Sequence, residues 1–339
     1  MTQSIVQILD ETVSRLFRNE VTAQGLRQFE KGLFPDGLWT RIDELGLADV
    51  LLTEEETPWA AACALYKATG RYAAPVPLAE FSAASFLANR AGLDRSGDRI
   101  TLATCSDWSF DGTVLSATVS RIPWARLADA VLLENTATQE SVLVSLEDAV
   151  LEHGVNIAFE PRDEATFTGV PIIAALPAPA NARLSVREAG AFIRACQMAG
   201  AIEGLLAAAV QYVQDREQFG RPLSKFQAIQ QQLAVLAGRS AAVDCAARGA
   251  ADALDAGRQT SHIAIAKIES GESVAECTSI AHQVHGAIGF TYEHDLHFLT
   301  RRLWAWRNEF GATQEWSIQL GQKIAARGAA NLWPDLTEL

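Results

Sequence analysis

The sequence predicts an α+β chain in three parts: an N-terminal helical domain (1–97), a central antiparallel β-barrel (98–180) and a C-terminal four-helix bundle (181–339). Two helical stretches flank a middle section of short β-branched runs with no helical pattern between them. A proline-punctuated stretch, PIIAALPAPANA (171–182), reads as the linker from the middle section to the last.

The first part shows helical spacing in three places. LWTRIDEL (38–45) puts Leu38, Ile42 and Leu45 on one face, and Gly46 follows as a stop. Stretches 59–71 and 78–89 repeat the pattern, separated by AAPVP, whose prolines break a helix. From about 97 the texture changes. Strands are expected at 100–104, 114–119, 128–133, 142–146 and 157–159, divided by the turn-like FDG, ENTATQ and EHG. Such spacing without helices implies an antiparallel barrel.

Beyond 183, Ala189, Phe192, Ile193, Cys196, Ala199, Ile202, Leu206, Ala209 and Val213 recur at mostly three- and four-residue steps. Further helices are expected at about 226–256, 260–285 and 309–327. In an up-down-up-down bundle the loop joining helices one and two shares an end with the loop joining three and four. The first is DREQFGRPLSKFQ (215–227) and the second QVHGAIGFTYEHD (283–295).

Composition narrows the function. A formal net charge of −13 argues against broad electrostatic binding to nucleic acid or anionic membranes. The acidic N-terminus does not read as a signal peptide, and no apolar run approaches the roughly 20 residues of a membrane span. The five scattered cysteines read as reduced thiols, so the expected compartment is cytoplasmic.

The paired loops carry the residue types a pyrophosphate-bearing nucleotide requires. Arg216 offers a fixed cationic fork and Phe219 a flat apolar face; Gln227 and Gln283 offer amides, and Gly286 and Gly289 bare backbone N–H groups. The same residues also fit plain interhelical turns with an arginine at a helix C-terminus. His282, His285, His294 and His297, with Glu293 and Asp295, have spacings that suggest a metal, but the expectation is that none binds there. Trp304, Trp306, Trp316 and Trp333 are expected at a subunit contact.

The string REQFGRPLSKFQ (216–227), followed by QVHGAIGFTYEHDLH with the arginines at 301 and 302, resembles the two signatures of the acyl-CoA dehydrogenase family. LGLADVLL and GRYAAPVPL in the first part have the same style. The resemblance implies helical domain, β-barrel and four-helix bundle, with FAD as cofactor. It implies removal of the proton alpha to an acyl-CoA thioester by a carboxylate, hydride transfer to flavin, and an electron-transferring flavoprotein as acceptor. It also implies a tetramer in which the bundle loops of one subunit, with Arg216, Phe219, Gln227, Gln283 and Gly286, contact FAD held mainly by its neighbour, and it implies Gln314 as a further cofactor contact.

The departures are specific. ATCSDWSFDG stands where the family has a T-E-P-x-x-G-S-D-like loop, and only Trp124 echoes its W-I-T-N-like strand end. Phe310 stands where the base belongs, with Glu309 one residue early, and Ala312 replaces a flavin-contacting threonine. The alternative base position falls near Gly190, and Glu188 lies two residues off, turned by about 200° on a helix. This pattern resembles the shorter partner subunit of heterotetrameric acyl-CoA dehydrogenases of steroid side-chain breakdown. Two readings follow: a partner that completes a shared FAD site, or a complete homo-oligomeric enzyme with Glu309 as catalytic base.

Overall fold

A computed structural model describes residues 5–53, 57–93, 97–176, 184–258 and 261–331. Five helices open the chain: α1 (Ile5–Glu20), α2 (Ala23–Phe29), α3 (Asp36–Glu44), α4 (Pro58–Arg71) and α5 (Leu78–Arg90). The last three match the helices read from the sequence. The first two add an apolar seam, in which Val13, Leu16, Phe17, Leu26 and Phe29 turn inward.

The middle section is one curled sheet with strand order β1-β4-β5-β7-β3-β2, and β6 pairs with β7. Its strands are β1 (Ile100–Cys105), β2 (Ser109–Phe110), β3 (Val114–Pro123), β4 (Ala130–Asn135), β5 (Ser141–Ser145), β6 (Val150–Glu152) and β7 (Arg162–Leu176). Two expectations are corrected. The β1–β4 pair is parallel, so the sheet is not wholly antiparallel, and the hydrogen-bonded path runs open from β1 to β2 rather than closing. The expected strand at 157–159 is a tight turn: Asn156 Oδ1 accepts from the backbone N–H groups of Ala158 and Glu160.

The expected linker is also revised. Residues 171–176 belong to β7, and only 177–182 lie outside the described residues. Pro171 is tolerated because it sits where β7 leaves β3 and takes up β5, between Pro171 opposite Val114 and Ile172 opposite Val144. A missing N–H breaks little of the ladder at such a handover.

The remaining helices are α6 (Val186–Asp215), α7 (Gln227–Asp255), α8 (Ser261–His285), α9 (Leu296–Trp306) and α10 (Thr313–Arg327). The expected fourth helix starts later than 309, because 307–312 form a strap between α9 and α10. By length and composition α6 could cross a membrane, but most of it is buried in the protein core. Helix α6 crosses α4 at backbone contact. A Cβ on Gly70 would lie 1.9 Å from the Gln197 carbonyl oxygen, and one on Gly200 equally close to that of Lys67. No side chain larger than glycine's hydrogen fits at either position.

The N-terminal helices and the C-terminal helices share one apolar core, and a second core lies in the sheet. Two carboxylates tie the parts together at helix starts. Asp255 at the end of α7 accepts from the Trp59 and Ala60 N–H groups that open α4. Glu134 on β4 accepts from the Arg187 N–H at the start of α6. Unpaired N–H groups and the helix dipole both favour an anion there.

Candidate functional site

The two signature loops meet at one end of the bundle. Arg216 follows the last turn of α6, and Gly286 follows α8. Ala208, Gln211, Tyr212, Asp215 and Arg216 line an open cavity of about 390 Å³ together with His285 and His294. The Tyr212 ring stacks on His285 at 4.5 Å, and His294 stands edge-on to His285 at 4.7 Å. Nδ1 of His285 lies 2.7 Å from the Ala281 carbonyl oxygen, so it carries the proton. Burial, helped by His294 and His282, pushes His285 below the ordinary imidazole range.

The other residues expected at this end face outward. Arg216, Gln227, Gln283 and Gly286 are exposed. Phe219 is 90% exposed with φ at 54°, a left-handed conformation that bulky residues rarely adopt. The histidines make ring contacts: His282 stacks on Phe290, and His297 packs on Phe298. Among the described residues no three His, Cys, Asp or Glu side chains converge as metal ligands.

Gln314 and Glu309 sit elsewhere. Glu309 contacts Arg194, which lies 22 residues before Arg216 along α6 and its cap, about 33 Å at 1.5 Å per residue. Thr313 packs on Gly271, and its neighbour Gln314 is exposed near the middle of α8 rather than at the bundle end.

At this second locus Phe310 and Gly190 meet. A Cβ built on Gly190 would lie 2.2 Å from the Phe310 ring, so the ring occupies the space above the bare backbone of α6. Phe310 is in the left-handed region (φ 56°), and its carbonyl accepts from Trp316 Nε1 at 3.0 Å. Glu188 forms a reciprocal cap with Ser185, each accepting from the other's backbone N–H. Its carboxylate is thereby committed to the start of α6.

Glu309 is held between two arginines. Arg162 donates to both of its oxygens, from Nε at 2.8 Å and from a terminal nitrogen at 3.0 Å. Arg194 Nε donates to Oε2 at 2.6 Å. Burial acts to raise its pKa, but the charges of Arg162 and Arg194 outweigh it and hold the carboxyl down at about 2. A carboxylate so stabilised is a weak proton acceptor near neutral pH.

This pair belongs to a buried ionic chain that the sequence reading missed. Glu80 on α5 pairs with Arg194, Glu160 with both Arg162 and Arg302, and Trp306 Nε1 donates to Glu160. The members come from α5, the turn before β7, β7 itself, α6, α9 and the strap, so no local spacing marks them. Arg194 falls outside the apolar series read along α6, so periodicity did not mark it as buried. Lys267, wholly buried on α8, donates to the Arg307 carbonyl at 2.6 Å and contacts that of Trp306 at 3.3 Å. Burial drives its pKa down to about 7 despite the attraction of Glu309.

Trp306 and Trp316 are thus buried inside the chain rather than at its surface, which corrects their expected place at a subunit contact. Trp304 is exposed, and Trp333 lies outside the described residues. Trp124, the echo of the flavin-cradling strand end, is buried under Phe29 and Phe34 at 5.9 and 6.4 Å.

Comparison with known proteins places this geometry. The family described as acyl-CoA dehydrogenase, C-terminal domain, matches residues 188–316. The acyl-CoA dehydrogenase IpdE2 of Mycobacterium tuberculosis is 33% identical over 117 residues, 34% of this chain and 36% of that protein. The acyl-CoA dehydrogenase FadE34 of the same organism is 32% identical over 157 residues, 45% of this chain and 22% of that protein. The matched stretches therefore span about a third or less of these curated relatives. Among solved structures, the Tcur3481-Tcur3483 steroid ACAD aligns with a TM-score of 0.85 at 23% identity, covering 96% of this chain and 98% of that one. The ChsE4-ChsE5 complex of Mycobacterium tuberculosis aligns at 0.83 and 19% identity with the same coverage. Residues 188–316 match the model of the acyl-CoA dehydrogenase C-terminal domain, and over nearly its whole length the chain shares the fold of these solved structures.

Proposed function

We propose that this chain is the partner subunit of an FAD-dependent acyl-CoA dehydrogenase, completing a flavin site shared with a second, catalytic subunit. The observation that carries this reading is the separation along α6. The bundle end with Arg216 and the Glu309 locus lie about 33 Å apart. A flavin's ring and pyrophosphate are joined by a short ribityl chain, so these two places cannot serve one flavin within one chain.

The exposed residues at the bundle end fit a nucleotide held from outside. Arg216 would pair with the pyrophosphate, Phe219 would meet a flat base, and Gln227, Gln283 and Gly286 would supply N–H groups. The chain's own β-section fits a flavin poorly, because Trp124 is packed against Phe29 and Phe34. The bound flavin would accept hydride from the beta carbon of an acyl thioester. In this reading the proton alpha to the carbonyl goes to a carboxylate of the partner, since Phe310 fills the space at Gly190 and Glu309 is committed to two arginines. These same observations count against the homo-oligomeric alternative with Glu309 as base.

The substrate would be an acyl-CoA of the steroid side-chain class, with an electron-transferring flavoprotein as acceptor and a cytoplasmic heterotetramer as the working form. The similarly folded Tcur3481-Tcur3483 steroid ACAD supports that class. Expression alone and with a candidate partner, followed by flavin content and native mass, tests the reading. A colourless single chain and a yellow mixed oligomer are expected; stoichiometric flavin with acyl-CoA-dependent bleaching in the chain alone would overturn it.

A further inference from the structure

We infer that Arg162 and Arg194 form a carboxylate-binding clamp, filled in this chain by its own Glu309. The clamp's geometry is that of an anion site. Two guanidinium groups, 5% and 0% exposed, converge on one carboxylate with three donors at 2.6 to 3.0 Å. Their planar forks are fixed from behind: Arg162 by Glu160 and the Pro161 carbonyl, Arg194 by Glu80 and Gln197. A clamp held by other partners keeps its shape when its occupant leaves.

Charge arithmetic identifies Glu309 as the exchangeable member. The buried chain contains three arginines, Arg162, Arg194 and Arg302, and three carboxylates, Glu80, Glu160 and Glu309. Without Glu309 it carries one excess cation, and Lys267 nearby adds to the positive field whenever it is protonated. Glu80 and Glu160 are 1% and 2% exposed, whereas the Glu309 side chain retains 19%, so it is the member with a path to solvent. It also rides on the strap, where Phe310 (φ 56°) and Gly311 (φ 101°) are consecutive left-handed residues. That backbone is maintained by its pins: Lys267 on the Arg307 carbonyl, Trp316 on the Phe310 carbonyl, and the clamp itself. Glu309 is therefore an occupant in cis, keeping the clamp from any external carboxylate. This inference is independent of the shared-flavin reading and needs neither flavin nor partner for its test.

The ligand class is a small monocarboxylate, and acetate is the probe. Thermal unfolding of the isolated Glu309→Ala chain is followed in sodium acetate and in sodium chloride at matched ionic strength. The expected result is a saturable, acetate-specific rise of a few degrees, on the scale of a ligand bound only by the native state. Wild-type protein, whose clamp is filled, should show no such difference, nor should Glu309→Ala combined with Arg194→Met. If Glu309→Ala is recovered unfolded, the measurement becomes the yield of folded protein on refolding in acetate against chloride, with acetate expected to raise it at least twofold. Equal behaviour in the two salts, in whichever of these measurements applies, overturns the assignment.

Discussion

The ring of Phe310 lies against the bare Cα of Gly190, so close that a methyl group on that glycine would stand 2.2 Å from the ring. These are the two positions at which the family resemblance leads one to look for a catalytic carboxylate, and the ring at 310 excludes a side chain at 190. The relationship is steric and can be read by a double-mutant cycle. Gly190→Ala alone should destabilise the chain by about 1–3 kcal/mol through overpacking. In a Phe310→Ala background the same substitution should cost far less, because the ring it meets is gone. Additive effects in chemical denaturation would show that the two residues do not touch.

Glu309→Gln should lower stability without abolishing turnover in an assembled enzyme. Replacing one partner of a buried ion pair leaves uncompensated charge and costs about 3 kcal/mol. The carboxyl is held at about 2 against an ordinary 4.5, so its contribution is fully present above the higher value. It is lost as pH falls from there toward the lower one. Wild type and Glu309→Gln should therefore converge in stability in acid. A fall of two or more orders of magnitude in kcat, with flavin and thioester still bound, would instead make Glu309 the base.

Lys267 should give a pH signature of the same sign in a higher window. Its folded pKa is depressed from 10.5 to about 7, so between those values the unfolded chain binds more protons than the folded one. Stability should rise with pH across that window, by at most a few kcal/mol. Lys267→Met, which keeps the length of the buried stem, should flatten the rise. An unchanged slope in urea titrations at pH 7, 8 and 9 would assign it to other groups.

Arg216→Ala should leave the fold intact and strip flavin from the mixed oligomer. The residue is exposed at the end of α6, where substitutions cost little stability. Absorbance of the retained cofactor after gel filtration reads the loss directly. Full flavin occupancy in the variant, with the oligomer intact, would remove Arg216 from the shared site.

The α4, α5, α7 and α8 helices were legible within a residue or two, because a buried stripe on a long helix imposes its period on the sequence. The meeting of the loops at 215–227 and 283–295 was legible too, since helix lengths and chain direction settle which ends are neighbours. The sheet was read less well. Its short strands are marked by composition, but the parallel β1–β4 pair and the long β7 depend on partners distant in the chain, and Pro171 disguised β7 as a linker. The second locus was least visible. Sequence placed Phe310 and Gly190 where a base was expected, yet only the tertiary structure shows them packed together. It also turns Glu309, one residue away, into the occupant of two arginines from β7 and α6. Periodicity reports which face of an element is buried, but a buried charge is decided by the opposite charge brought to it through space. Arg162, Arg194 and Glu309 come from three separate parts of the chain, and their pairing has no local signature.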